Sequence, residues 1–458
     1  MPSVGPTVRA VGRLATPLAT AALLAVASAG PATATPPEQP DVVPTANPSY
    51  KRNPVVREAW RSGKAEVDYG QGIIGKLLPD QRDWLEEHGI MLFGWYMIGL
   101  QGNPSGGITR DFDYTGLFDF GLDLDFETMF GAKGLFLHAS GSWASGQDLS
   151  QDVGSLAPVN AVFSGDAIRL FELYLEQQLF DDTLSVRAGR LSVGWEYGLE
   201  YDVFTQYLSA AFRLNVFALD DNDENFSVIP FANWGARVRY TPNEHWRFQF
   251  SFMNGYPRDF ADDQYNGTLF DFEPGQGAFF IAEGSYQWAH TSAERKARPG
   301  RMPGRVTLGA YYDTGTFPYV DGSGRTASTL FNVYGIVRQK VWEPEPGDER
   351  GLDLWTSLVV GGREEIVSVQ VFWSGGALWT GPLAFRPDDT VAVGFASSWV
   401  SDGLAGSADN ETVLELSYNW NVSEQLTITP DFQYIVNPGG NGAVADAVLL
   451  GALFYLTF

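Results

Sequence analysis

From Leu117 to Glu127 the chain alternates without a break: Phe118, Phe120, Leu122, Leu124 and Phe126 on one parity, Asp119, Gly121, Asp123, Asp125 and Glu127 on the other. A helix would scatter these acids around its circumference, whereas an extended strand puts every ring on one face and every carboxylate on the other. A strand with one greasy and one charged face must sit between two different media. The same alternation recurs at Leu184–Ala188, Ala236–Tyr240, Trp246–Phe252 and Thr412–Trp420.

Segments of this kind fall near 90–101, 114–128, 133–145, 166–180, 183–193, 230–241, 245–255 and 276–290, then 304–315, 329–341, 352–363, 366–376, 388–401, 411–422, 425–437 and 446–458. The expectation is an all-β fold: a transmembrane antiparallel β-barrel of about 16 strands. Before it, Pro79, Asp80 and Asp83 suit the first turn of a short helix that Gly89 stops. Short turns at Phe130–Ala132, Asp181–Asp182, Pro242–Glu244, Arg363–Glu365 and Val422–Glu424 alternate with longer links at 146–165, 194–229, 256–275, 316–328 and 402–410. Such a rhythm suits a barrel with short turns on one rim and long loops on the other. Trp246, Trp420, Tyr240 and Tyr434 fall near strand ends in the outward register, where interfacial rings belong.

No window of 18 uninterrupted apolar residues exists beyond the first residues, so a helical membrane protein is excluded. Those first residues read as a secretory leader over 1–34: Arg9 and Arg13, an apolar core from Leu14 to Ala29, and small-residue exits. A Pro-rich flexible arm, 35–78, follows, and 79–458 holds the helix and barrel. The expected destination is a bacterial outer membrane, with lipid as a partner. Thirty basic against 55 acidic residues argue against nucleic acid.

Absence of cysteine removes disulfides and thiolate sites. His88, His138, His245 and His290 show no pairwise spacing of a zinc motif, and no metal or cofactor is assigned. Asp220–Glu224 offers oxygen ligands for calcium but lacks the EF-hand spacing, and reads as a solvated external loop. No P-loop, Rossmann fingerprint or nucleophile elbow is present, and adjacent carboxylates such as Glu364 and Glu365 would face opposite ways along a strand. The chain is read as no enzyme.

Several stretches resemble the carbohydrate-selective porin family OprB. They are Arg82–Ile90, Asn103–Gly107, Tyr114–Gly116, Phe171–Gln177 followed by Val186–Arg190, Ala232–Tyr240 with Asn254–Pro257, Glu415–Tyr418 and Thr429–Gly440. They run in the family's order over nearly the whole barrel. The family's G-D-W-G-G stretch is replaced here by Lys76–Asp80. The resemblance implies passive, sugar-selective diffusion through a polar, charged lumen. Porins for other polar or cationic solutes, and a secreted soluble carbohydrate-binding β-protein, remain as alternatives.

The inward register supplies the candidate pore lining: Glu172, Tyr174, Glu176, Arg187, Arg237, Arg239 and Arg247, with Asp119 and Asp123 on an earlier strand beside Asp125 and Glu127. Facing guanidinium and carboxylate groups can hold hydroxyls directionally, and an aromatic face can carry a sugar ring. The long link 194–229, with a short helix expected at Phe204–Leu208, either narrows the lumen or forms an external lid. The terminal Phe458 resembles the signal read by the barrel assembly machinery. A monomer or a homotrimer is compatible with the pattern.

Overall fold

A computed structural model describes residues 73–458, apart from 163–164, 214–215, 256–265, 270–276, 291, 299 and 405–408. The leader and nearly all of the Pro-rich arm lie outside the described residues. Sixteen antiparallel strands close into one barrel. They are β1 (Ile90–Ser105), β2 (Phe112–Asp125), β3 (Leu135–Gly146), β4 (Ala167–Leu179), β5 (Leu184–Leu191), β6 (Asn233–Tyr240), β7 (Trp246–Asn254), β8 (Ala278–Trp288), β9 (Gly304–Pro318), β10 (Thr326–Trp342), β11 (Gly351–Gly361), β12 (Val369–Thr380), β13 (Thr390–Val400), β14 (Asn410–Asn421), β15 (Leu426–Val436) and β16 (Ala447–Thr457).

Each strand pairs with its chain neighbours, and β1 closes on β16 with Trp95 opposite Thr457. Closure leaves no unpaired edge, the condition for strands in hydrocarbon. The N-terminal helix spans Pro79–Glu87 with Pro79 in its first turn. Gly89 follows in the left-handed region, φ +78, and a Cβ there would lie 2.7 Å from the Asp125 carbonyl.

The outer face is apolar. Leu92, Phe120, Leu308, Leu354, Val393, Leu414, Leu416, Phe432 and Leu450 are exposed on it. Rings gather toward the strand ends: Tyr240, Phe248, Trp342, Trp379 and Trp420 at one rim, Phe112, Tyr114, Trp143 and Tyr312 at the other. Trp246 stacks on Phe248 at 5.5 Å and packs against Tyr286 at 4.6 Å. An apolar band between two aromatic girdles is what a bilayer requires and what a soluble β-protein cannot expose.

Two details depart from the sequence reading. β2 stops at Asp125, whose carboxylate accepts from the Glu127 and Thr128 amides and caps the helix Phe126–Phe130. Asp125 therefore ends the strand as a helix cap and Glu127 lies in the helix beyond it; Glu127 accepts from the Gly134 amide at 3.0 Å. An N-cap carboxylate satisfies orphan helix amides better than another wall position would. The turn Arg363–Glu365 lies on the rim of the long connections, between β11 and β12, while the opposite rim carries a longer connection, 289–303, with a helix at Ser292–Ala297.

Candidate functional site

The β5–β6 connection, residues 192–232, enters the barrel. It carries a 3-10 turn at Val193–Trp195 and helices at Tyr201–Phe204 and Ala218–Asp221, so the expected helix lies slightly earlier than Phe204–Leu208. Wall and segment are joined along its length. Tyr197 Oη meets Ser251 Oγ at 2.6 Å, the Gly198 amide donates to Glu283 at 2.9 Å, and the Leu208 and Ser209 amides donate to the two oxygens of Glu415 at 2.6 and 3.1 Å. Tyr311 donates to the Leu219 carbonyl at 3.0 Å, and Asn225 donates to Asp313 at 2.8 Å. The segment narrows the lumen; it is no external lid.

The acidic run Asp220–Glu224 enters with it, so it is no external loop, while Asp221 and Glu224 stay exposed. Asn222 and Asp223 are buried, and Asn222 donates to the Val369 carbonyl at 2.8 Å. Sequence polarity suggested solvent, but the segment's apolar residues decide its position. Tyr197, Phe204, Tyr207, Phe212, Phe217, Leu219 and Phe226 pack on Phe279, Ile281, Tyr311, Tyr334, Trp355 and Phe372 of the wall. The segment thus docks through an apolar cluster that is interleaved with polar contacts to the wall.

The polar part is a ladder of arginines: Arg187 on β5, Arg237 and Arg239 on β6, Arg247 on β7, Arg305 on β9 and Arg338 on β10. Arg187 sits directly opposite Arg237, and Arg305 opposite Arg338. Like charges in such register repel. Acids of the entering segment offset this: Glu196 reaches Arg187 at 2.5 Å, Arg239 at 2.6 Å and Arg237 at 3.4 Å. Glu200 lies 3.3 Å from Arg305 and 3.4 Å from Arg338, and Asp202 2.7 Å from Arg338. Wall acids complete the pairing: Glu176 with Arg187 at 2.8 Å, Glu283 with Arg247 at 3.8 Å, and Asp353 with Arg338 at 3.1 Å.

The nine sequence candidates all lie on the lumen side but in different environments. Asp123, Tyr174, Arg187 and Arg247 are half-buried. Arg237 and Arg239 lie beneath the segment, at 0% and 2% exposure. Glu172 and Glu176 are buried; Glu172 accepts from the Ser192 amide at 2.8 Å where the segment begins, and Glu176 accepts from Ser185 Oγ at 2.5 Å. Asp119 is enclosed at 1% exposure.

Tyr174 occupies the centre of a stack across four strands. His138 lies 4.9 Å from it, nearly parallel, Phe93 lies 5.5 Å beyond His138, and the Arg187 guanidinium sits 4.7 Å over the Tyr174 ring. With a neighbour on each adjacent strand, Tyr174 presents its edge and hydroxyl to the lumen rather than an open face. Asp123 fixes His138 from the next strand at 2.7 Å.

Sequence reasoning passed over Arg305 and Arg338, and the segment acids Glu196, Glu200 and Asp202. Arg305 was recoverable, since Arg305 and Thr307 alternate with Val306 and Leu308. The segment acids carry no periodic signal.

The family described as "Carbohydrate-selective porin, OprB family" matches residues 109–458. Porin B of Pseudomonas aeruginosa is 25% identical over 385 residues, covering 75% of this chain and 82% of that protein. Putative porin QuiX of Acinetobacter baylyi is 22% identical over 322 residues, covering 64% and 70%. The high-pH structure of Pseudomonas putida OprB superposes with a TM-score of 0.75 at 22% identity, covering 88% of this chain and all of that one. The low-pH structure of the same protein gives a TM-score of 0.55 at 18% identity, covering 85% and 98%.

Proposed function

Because the chain belongs to the OprB family of carbohydrate-selective porins, we propose that it gives passive, sugar-selective diffusion across a bacterial outer membrane. The observation that carries this reading is the half-buried row of lumen side chains beside the entering segment: Asp123, His138, Tyr174, Arg187, Arg247, Arg305 and Arg338. Carboxylate, imidazole, phenol and guanidinium groups in one row offer both acceptors and donors to successive hydroxyls of a moving solute. Most guanidinium groups are already paired with acids, which favours neutral polyols over strongly charged ions.

Within this reading Tyr174, Arg187, Arg247 and Asp123 touch solute, joined by Arg305 and Arg338. Glu172, Glu176, Arg237 and Arg239 hold the segment and the ladder in place, and Asp119 supports the wall behind them. Selectivity arises from constriction and hydrogen bonding, with no energy coupling. Planar-bilayer conductance with glucose or xylose tests it: graded block of ion current supports a sugar site, and current indifferent to both sugars, but shifted by organic cations, supports a pore for cationic solutes instead.

Export by the leader, and recognition of the last strand by the barrel assembly machinery, complete the proposal. Phe458 suits the second role: its amide donates to the Gly94 carbonyl at 2.8 Å, and its ring meets Phe118 edge-on at 5.7 Å at the β1–β16 closure. Cross-linking of the purified barrel separates a monomer from a homotrimer.

A further inference from the structure

At the rim of the short turns, the chain gathers two histidines and a glutamate that are far apart in sequence. His245 ends the β6–β7 turn, and its backbone carbonyl accepts from the Gln287 amide at 2.9 Å. Beyond β8, Ala289 adopts a left-handed conformation, φ +52, which turns the chain back. His290 follows, and the helix Ser292–Ala297 brings Glu294 one turn later. His290 and Glu294 therefore share a face, while the strand pairing of β7 with β8 supplies His245.

We propose that His245, His290 and Glu294 form a binding site for a divalent transition-metal ion, with Zn2+ as the representative occupant. Their donor atoms all lie within 4.8 Å of one another. His245 Nε2 is 3.7 Å from Glu294 Oε1, and His290 Nδ1 is 3.4 Å from Glu294 Oε2. A tetrahedral zinc with ligands at about 2.0–2.1 Å separates its donors by roughly 3.4 Å; each imidazole is near that distance from one oxygen of Glu294, and rotation of the carboxylate brings a single oxygen between them.

The hydrogen bonding around the trio fits the same role. His245 Nδ1 lies 3.0 Å from the Gln287 carbonyl and must donate to it, which leaves the lone pair on Nε2, facing Glu294. A backbone carbonyl that fixes the tautomer of a ligating imidazole is the usual outer shell of a metal site. His290 Nδ1 is buried and has no hydrogen-bond partner among the described residues, although it faces a carboxylate. The three side chains retain about a quarter of their exposure, 27%, 27% and 25%, enough for an ion to enter.

Two imidazoles and one carboxylate suit zinc, copper, nickel or cobalt, while calcium and magnesium require all-oxygen shells. Three protein ligands leave a fourth position for water. Arg295 and Arg305 lie near enough to oppose a cation, which sets the affinity below that of a closed structural site. The ion would tie the β6–β7 turn to the β8–β9 connection. Gln287 extends the link: its side-chain oxygen accepts from Arg305, a member of the arginine ladder, at 3.1 Å. The site is independent of what passes through the pore.

The test uses the untagged full-length barrel, stripped with chelator and titrated calorimetrically with ZnCl2. One saturable equivalent per chain is expected, unaffected by excess CaCl2. H290N and E294Q should each weaken it by about tenfold or more, and H88N should leave it unchanged. Absence of a saturable equivalent, or equal binding by an H245N/H290N double variant, overturns the proposal. Should the variants fail to fold, CoCl2 added to the wild-type barrel decides: tetrahedral visible absorption bands displaced by zinc support the site, and an aqueous octahedral spectrum overturns it.

Discussion

Glu196 Oε2 lies 2.6 Å from Arg239 Nη2, joining the segment inside the barrel to a strand of its wall at a point that solvent barely reaches. The same carboxylate also binds Arg187 and Arg237. One acid thus balances three cations drawn from two neighbouring strands.

Removing that charge should loosen the constriction. E196Q leaves Arg187 and Arg237 with Glu176 as a remaining acid and Arg239 with Glu283, and loss of one partner from a buried pair costs about 3–5 kcal/mol. The expected outcome is a lower unfolding midpoint in detergent together with a larger single-channel conductance and weaker cation preference. Thermal melts and bilayer reversal potentials measure both. An unchanged conductance would show that the hydrophobic docking around Trp355 alone positions the segment.

Tyr174 offers a sharper probe of solute contact, since its ring is held by His138 and Arg187. Y174F keeps the stack and deletes only the hydroxyl. Loss of one hydrogen bond to solute is worth about 0.5–1.5 kcal/mol, so half-block of current by glucose should need roughly two- to tenfold more sugar, with open-pore conductance nearly unchanged. Y174A should alter both, because the guanidinium of Arg187 then loses its support.

The contrast between these two residues shows what was legible in the chain. Tyr174 lies on a strand, and parity alone sends it inward opposite Gly189 of β5. The sixteen strands, the apolar exterior and the inward set from Asp119 to Arg247 all follow from that one periodicity. Glu196 lies in an irregular segment, where no period says which side chain faces the wall. Its location depends on aromatic docking between residues more than a hundred positions apart, as with Tyr207 and Trp355, joined at 3.1 Å. Parity also cannot report cover: Arg237 and Arg187 share a face, yet the segment buries the first more completely than the second. The trio His245, His290 and Glu294 was illegible for the same reason, since a strand pairing assembles it.

At the opposite rim, acid should loosen the β15–β16 connection. The Asp446 carboxylate accepts from the Asn437 amide at 2.9 Å and from the Tyr434 hydroxyl at 2.8 Å, and these bonds hold its pKa below the ordinary value. A depressed folded-state pKa means that the carboxylate stabilises the loop above the ordinary carboxylate range, and that this contribution is lost as pH falls through the depressed value. Carbon-detected NMR of labelled aspartate should place the Asp446 midpoint below that of an unstructured aspartate. D446A should abolish the pH dependence of the Asn437 amide signal, which reports the bond directly.

Gly189 is a position where a single added methyl should do severe harm. Its φ is +146, and a Cβ there would lie 2.2 Å from the Leu173 carbonyl and 2.6 Å from the Tyr174 Cα. Both obstacles are backbone of the paired strand, so relief requires β4 and β5 to separate rather than a side chain to swing aside. Gly131 provides the comparison: its φ is +77 at the helix end before β3, and nothing lies within 4 Å of a Cβ built on it. G131A should cost about 1 kcal/mol through backbone strain alone, leaving assembly intact. G189A should instead sharply reduce the fraction of barrel that migrates as folded in unheated gels. Equal folding of the two variants would show that the β4–β5 ladder yields without loss, and that the register placing Arg187 against Glu176 is not fixed by close backbone approach at Gly189.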